Sequence, residues 1–209
     1  MELSTVWSPG AQRSTKPLVV ALHGLGSNEF DLAELAQFWP DYDQVSLRAP
    51  LPYGPGFSWY PLALPANPEP AEVRAAGQLV VDWLAQHIEP SRPLVLLGFS
   101  QGGSVSLEVA RIAPHALAGV VLLSGFVARV ANPDLLDDDG ALKARNLPVF
   151  WGYDPFDPVI PPEAIERTAE WLPHHSNLTR VTYEFLGHSV SAQELQDVRG
   201  FLQSLVEEN

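Results

Sequence analysis

Short apolar runs alternate along this chain with longer segments in which apolar residues recur every third or fourth position. The short runs are typical of strands buried on both faces, and the longer spacing is typical of helices that pack on a sheet. The pattern predicts strands at 18–22, 45–48, 94–97, 119–123, 149–151 and 179–185, and helices at 28–39, 71–88, from 100 onward, 162–171 and 192–205. Such an order predicts an α/β fold, with a mostly parallel sheet flanked by helices on both faces.

Two segments interrupt this alternation. Residues 50–70 hold seven prolines among several aromatic residues, and residues 126–146 carry an acidic run. Proline restricts the backbone of the unfolded chain, so we expect the first segment to be ordered. Both segments follow predicted strands, at the edge where α/β folds build their sites. We therefore predict one domain over residues 1–209, with these two segments over the active-site edge.

Composition narrows the kinds of protein that the chain can be. A formal charge of −13 disfavours nucleic acid and anionic membrane surfaces as partners. The absence of cysteine excludes a thiol nucleophile and a disulfide framework. The acidic residues 137–139 have no ligand-like spacing with histidine, so no metal site is predicted. With no apolar stretch near the length of a membrane span and no signal-like N-terminus, we expect a cytoplasmic protein without stable membrane insertion.

The most informative motif lies between a predicted strand and a predicted helix. It reads Gly98-Phe99-Ser100-Gln101-Gly102. A serine between two glycines at such a junction is typical of a nucleophile elbow, where the hydroxyl stands clear of the sheet. The glycines allow the strand and the helix to approach closely. We predict Ser100 as a nucleophile.

A serine hydroxyl needs a base, and the base needs an orienting acid. In this fold class the chain order is serine, acid, histidine, each after a strand. Asp154 and Asp157 both follow the strand at 149–151, and the residues alone do not choose between them. Of the six histidines, only His188 has both the required order and a place just after a strand. His188 is the predicted base.

A tetrahedral intermediate also needs two amide donors for its oxyanion. One is predicted at Gln101, whose amide opens a helix and gains from the helix dipole. The other is predicted at Leu25, between Gly24 and Gly26 after the first strong strand. His23 precedes the serine in the chain, so we interpret it as a residue that braces this loop.

At this point the chain resembles the phospholipase/carboxylesterase family of small α/β-hydrolases. The resemblance is carried by His-Gly-Leu-Gly from residue 23, Gly-Phe-Ser-Gln-Gly-Gly from residue 98, Asp-Pro-Val-Ile-Pro from residue 157 and Gly-His-Ser from residue 187. It implies Ser100 as nucleophile, His188 as base and Asp157 as acid. It also implies backbone oxyanion donors at Leu25 and Gln101, and no cofactor.

The chain departs from the family pattern in two places. The stretch before Asp157 is about two residues longer, which keeps Asp154 in question, and Pro61 replaces a usual acidic residue. We expect aromatic residues of the edge loops to line an acyl or alcohol groove: Phe57, Trp59, Tyr60, Phe126, Trp151 and Phe156. The expected activity is hydrolysis of small to medium acyl esters through an acyl-enzyme, by a monomer or homodimer. Acyl-protein thioesterase or lysophospholipase activity is the alternative within this chemistry, and a non-catalytic binding protein is the alternative outside it.

Overall fold

The computed structural model describes residues 2–61, 68–128 and 136–207, and it confirms the α/β fold. The strands are β1 (Thr5–Trp7), β2 (Leu18–Leu22), β3 (Asp43–Leu47), β4 (Leu51–Tyr53), β5 (Gly56–Ser58), β6 (Leu94–Phe99), β7 (Gly119–Leu123), β8 (Pro148–Tyr153) and β9 (Asn177–Thr182). The α-helices are α1 (Pro70–His87), α2 (Gln101–Ile112), α3 (Leu136–Arg145), α4 (Pro162–His175) and α5 (Ala192–Glu207).

The main sheet has the strand order β1-β3-β2-β6-β7-β8-β9 within the described residues. Every neighbouring pair is parallel except β1 with β3 at one edge. The chain runs from β2 outward to β3 and then returns to β6 on the other side of β2. The strand order therefore reverses between β2 and β6, and open α/β sheets bind ligands at the carboxyl ends of the strands beside such a reversal.

Two apolar layers sandwich the sheet, because successive strand residues point to opposite faces. Val20 and Leu22 of β2 belong to the larger cluster, which packs against α1, α2 and α4. Val19 and Ala21 belong to the second cluster, which packs against α5 and the short helix after β2. Both faces of the central strands are covered, which is why their sequences are apolar without interruption.

The structure differs most from the predicted elements in three segments; in addition, β1 has no predicted counterpart, and the strand predicted at 179–185 ends at Thr182. The predicted helix at 28–39 is only a short 3₁₀ helix, Ala33–Phe38, because the Asn28 side chain accepts from the Phe30 amide and closes a turn instead of capping a helix. The segment 50–70 forms the β4–β5 hairpin, and its residues 62–67 lie outside the described part of the chain. The segment 126–146 contains α3, with 129–135 likewise outside. Among the described helices, none is long and apolar enough to cross a bilayer.

Candidate active site

Ser100 stands on a strained turn between β6 and α2. Its backbone angles are φ 53° and ψ −116°, and its amide donates to the carbonyl of Leu123 at 2.9 Å. A side chain on Gly102 would come within 2.0 Å of the Leu22 carbonyl oxygen, and one on Gly98 within 2.4 Å of the Gly102 oxygen. Only glycine allows β2, β6 and the start of α2 to approach this closely. The turn that the Gly-x-Ser-x-Gly pattern predicts is therefore present, with the strain that such sites concentrate.

The structure brings Ser100, His188 and Asp157 into one hydrogen-bonded line. His188 Nε2 lies 2.9 Å from Ser100 Oγ, and His188 Nδ1 lies 2.7 Å from Asp157 Oδ2. A carboxylate only accepts, so Nδ1 carries the proton and Nε2 is free to accept the serine proton. Asp157 is held by its other oxygen, which accepts from the amides of Val159 and Ile160 at 2.8 and 3.0 Å.

Asp154 makes no hydrogen bond to the His188 imidazole, but it binds the residue before it. One of its carboxylate oxygens accepts from the Phe156 amide at 2.9 Å, and the other accepts from the Gly187 amide at 2.7 Å. The side chain is buried. Asp154 thus joins the loop that carries Asp157 to the turn that carries His188.

The loop after β2, residues 23–28 (the β2 loop), packs directly on the serine turn. A side chain on Gly24 would meet the Phe99 ring at 2.9 Å and Ser100 Cβ at 3.5 Å. The neighbouring amides of Gly26 and Ser27 donate to carbonyl oxygens of Phe57 and Gly24. Within the described residues, the Leu25 amide donates to no acceptor. Gln101 is the first residue of α2, and the amide of a first helical residue has no acceptor inside its own helix.

His23 braces the β2 loop, as predicted. Its Nε2 accepts from the Ala49 amide at 3.0 Å, so Nδ1 carries the proton that it donates to the Gly24 carbonyl at 2.7 Å. Burial lowers the pKa of His23 below the usual value of an imidazole. Both nitrogens are used for structure, and a neutral ring suits both contacts.

The aromatic residues predicted for a substrate groove fall into two groups. The structure places Trp59, Tyr60 and Trp151 inside the larger core cluster, each at most 2% exposed. The Trp59 indole donates to the His23 carbonyl and the Trp151 indole to the Gly125 carbonyl, so these three rings pack the core and offer a substrate no open surface.

The remaining aromatic residues differ in exposure. Phe57 is half-buried under the Arg48 guanidinium, and Phe126 is buried against Ile160. Phe156 is 82% exposed on the loop that carries the two aspartates. An apolar residue that the sequence reasoning missed, Phe185, is 96% exposed on the turn before His188.

Two further contacts at the site involve neighbours of the serine. The Phe99 ring lies 4.9 Å from the His188 ring, centre to centre, and limits where the imidazole can turn. The Gln101 side chain reaches across to residues 58–60. The sequence motif contains both residues, but it identifies only the backbone role of Gln101.

The arrangement can perform acyl transfer to serine and then to water. It combines a serine hydroxyl, an imidazole with a fixed tautomer, a carboxylate that accepts from that imidazole, and amide groups at a helix start, which are the groups that this reaction needs. No group of three or more His, Asp or Glu side chains in the described ranges is placed as metal ligands would be.

Comparisons with known proteins agree on one family. The sequence model of the phospholipase/carboxylesterase family matches residues 3–206. Acyl-protein thioesterase 1 of Candida albicans is 28% identical over 99% of this chain and its own full length, and that of Kluyveromyces lactis is 27% identical over 97% of each. The crystal structure of esterase PE8 is 27% identical, with a TM-score of 0.79 over 98% of this chain and 100% of that one. The Bacillus cereus carboxylesterase, at 21% identity and a TM-score of 0.76 over 97% and 94%, has the same fold.

Proposed function

Because the chain belongs to the phospholipase/carboxylesterase family, whose members are serine hydrolases of the α/β-hydrolase fold, we propose that it is a carboxylesterase acting on small to medium acyl esters. The observation that carries the proposal is the line from Ser100 Oγ through His188 to Asp157, at 2.9 and 2.7 Å. A binding protein on this scaffold would not need an imidazole held between a hydroxyl and a buried carboxylate.

In the proposed mechanism, His188 Nε2 takes the proton of Ser100 as the hydroxyl oxygen attacks the ester carbonyl carbon. Asp157 keeps the imidazole in the required tautomer and stabilises the imidazolium. The amides of Leu25 and Gln101 donate to the oxyanion, and each such donor is worth on the order of 3 kcal/mol. The imidazolium protonates the leaving alcohol, and water activated by His188 then releases the acid.

The direct test is Ser100→Ala with a fluorophosphonate probe and p-nitrophenyl butyrate. We expect the wild-type protein to be labelled at Ser100 and to hydrolyse the ester, and the variant to lose labelling and about 10⁵- to 10⁶-fold of kcat. Circular dichroism should show the same fold in both. Turnover that survives the substitution, or a wild-type protein that is neither labelled nor active, contradicts the proposal.

The substrate class is proposed from the loops around Ser100. Among the predicted groove residues, half-buried Phe57 and exposed Phe156 keep surface on these loops, and Arg48, whose guanidinium lies over the Phe57 ring, is held by Glu29 through two hydrogen bonds. Arg129, the other cation of these loops, lies outside the described residues. An apolar surface on which Arg48 is already paired suits neutral acyl chains better than phosphate-bearing acyl groups. A preference for acyl-CoA over every neutral ester in a chain-length series contradicts this part.

Thioester hydrolysis is the second candidate, since two of the relatives are named as acyl-protein thioesterases. The same residues would attack a thioester carbonyl. An S-acylated peptide and the matching O-acyl ester, compared by kcat/KM, decide between the two. A ratio above about 10 in favour of either substrate corresponds to more than 1.4 kcal/mol of differential transition-state binding.

A further inference from the structure

The Gln101 side chain is fully engaged, although sequence reasoning gave this residue a role through its backbone alone. It is buried, and its amide nitrogen donates to Ser58 Oγ at 3.0 Å and to the Tyr60 carbonyl at 3.0 Å. Its amide oxygen accepts from the Trp59 amide at 2.9 Å. Both the amide nitrogen and the amide oxygen of the side chain thus form hydrogen bonds with residues 58–60, which lie more than forty positions away in the chain.

Residues 56–60, here called the aromatic segment, in turn hold the β2 loop. Phe57 and the loop exchange two backbone hydrogen bonds of 2.8 Å, from the Gly26 amide to the Phe57 carbonyl and from the Phe57 amide to the Ser27 carbonyl. The Trp59 indole donates to the His23 carbonyl at 2.9 Å. The loop is therefore fixed on both sides of Leu25.

The contact between the two segments leaves no room for adjustment. A side chain on Gly56 would lie 2.1 Å from the Gly26 carbonyl oxygen, so the two backbones touch directly. A shift of the aromatic segment must therefore move the β2 loop with it. Gln101 is the side chain through which the first residue of α2 determines where that segment lies.

We propose that the Gln101 side chain is a positioning residue that sets the separation between the two oxyanion donors, the amides of Leu25 and Gln101 itself. The inference rests on the proposed function. One residue carries one donor on its backbone and holds the other donor through the aromatic segment. Oxyanion donors act only when they lie about 2.7–3.1 Å from the charged oxygen, and a misplacement of about 1 Å can cost on the order of 100-fold in rate.

Gln101→Met tests the proposal, because methionine fills a similar volume but cannot make these hydrogen bonds. The matched control is Gln44→Met on β3. Gln44 is buried in the same way, donates to the Leu32 carbonyl at 2.7 Å and accepts from the Trp39 indole at 3.1 Å, but it has no contact with the aromatic segment. Both variants lose a buried amide network, and only one of them loses the link between the donors.

We expect Gln101→Met to lower kcat on p-nitrophenyl butyrate by about 10- to 100-fold with KM within about threefold, and Gln44→Met to leave both unchanged. The inhibition constant of a trifluoromethyl ketone should weaken in Gln101→Met by the same factor as kcat/KM, because Ser100 adds to the ketone carbon and leaves an oxyanion between the two amides. Equal kcat values in the two variants, or a raised KM with unchanged kcat, overturn the proposal. A wild-type protein without turnover overturns it together with the proposed function.

A second variant keeps the test decisive if Gln101→Met does not fold. Trp59→Phe keeps a buried ring but loses the N–H that donates to the His23 carbonyl, so the β2 loop loses one of its three hydrogen bonds to the aromatic segment while Gln101 is intact. We expect kcat to fall at least about threefold at constant KM. A folded Trp59→Phe protein with the kcat of the wild type overturns the proposal.

Discussion

On one side of Ser100, the β2 loop contacts both the aromatic segment and the start of α2 through its backbone, and the Gln101 side chain joins the latter two. We call these three segments the oxyanion side. On the other side, the β8 loop (residues 154–160) and the His188 turn (residues 183–188) form the acid–base side, where the carboxylates of Asp154 and Asp157 accept from backbone amides. Exposure differs in the same sense: Phe156 and Phe185 on the acid–base side are 82% and 96% exposed. The β2 loop, by contrast, is at least half-buried at every position.

The difference follows from what each side must do in the proposed mechanism. Oxyanion donors stabilise charge because they are in place before it develops, so movement there costs rate directly. The imidazole instead transfers a proton between the serine, the leaving group and water. A few strong hydrogen bonds are sufficient to hold the imidazole for this proton transfer, provided that they fix its tautomer.

Exchanging each aspartate of the acid–base side for asparagine is expected to have the largest effect on the reaction. Asp157→Asn offers an N–H to His188 Nδ1 and so favours the tautomer that cannot accept from Ser100, which lowers kcat by about 10⁴-fold. Asp154→Asn leaves the tautomer of His188 intact, but it places a side-chain N–H against the N–H of Gly187. We expect the His188 turn to shift and kcat to fall about 10- to 100-fold. Initial rates at saturating ester measure kcat of both variants, and melting curves show whether both are folded.

The ratio of these two effects also identifies the acid. Each variant replaces one carboxylate oxygen with an amide nitrogen and removes one negative charge, so each variant controls for the other. If Asp154→Asn lost more turnover than Asp157→Asn while both stayed folded, the acid would have to be reassigned.

Adding one methyl group to a glycine on each side compares their packing. Gly102→Ala would drive a carbon to 2.0 Å from the Leu22 carbonyl oxygen, and we expect a loss of more than about 3 kcal/mol of unfolding free energy or a failure to fold. Gly187→Ala meets nothing within 4 Å, and only its φ of +66° is unfavourable, which predicts a loss of about 1–2 kcal/mol.

Urea titration of both alanine variants measures these losses. Gly140→Ala, on α3 with open space and ordinary backbone angles, is the control and should cost nothing. Similar losses for Gly102→Ala and Gly187→Ala would contradict the contrast between the two sides.

The sequence predicted best what the buried strands and the serine turn impose. Residues 18–22 and 119–123 are strands with the predicted bounds, because a run covered on both faces has to be apolar throughout. The motif around Ser100 predicts that the backbones of strand and helix approach closely, and Gly98 and Gly102 do lie directly against neighbouring backbone atoms.

Sequence patterns failed where a contact joins residues far apart or where two local structures compete. The β4–β5 hairpin was hidden because Pro52 stands within a strand, where proline is unusual away from sheet edges. Asn28 suits a turn as well as a helix cap, and only the structure decides between them. The contacts of Gln101 with residues 58–60 and the bridge from Asp154 to Gly187 have no local signature, because each depends on how distant loops meet.

Two buried carboxyl groups, one next to each side in the chain, give the last contrast. Glu29, which follows the β2 loop, is paired with Arg48, and that hydrogen bonding lowers its pKa. Glu194, on α5 six positions after His188, is fully buried against Gly152 of β8, and neither of its oxygens has a partner. Burial, helped by the nearby charge of Asp197, raises the pKa of Glu194 to about 7 from the ordinary 4.5.

The two shifts predict opposite dependence of stability on pH. For Glu194, the folded state holds its proton more tightly than the unfolded chain, so stability is highest below pH 4.5 and is lost as the pH rises through about 7. For Glu29, stability is present above the ordinary pKa and is lost as the pH falls. Glu194→Gln removes the first dependence, so the variant should gain on the wild type by about 3 kcal/mol between pH 4.5 and pH 8.

Urea unfolding of Glu194→Gln and wild type at pH 4.5, 6 and 8 measures that gain. Glu170→Gln, an exposed position on α4 with the same change of charge, is the control and should keep a constant difference from wild type. A constant difference for Glu194→Gln as well would mean that this carboxyl ionises as freely as one in water. Glu194 would then need a partner or access to solvent in the folded protein, and it would no longer differ in kind from Glu29.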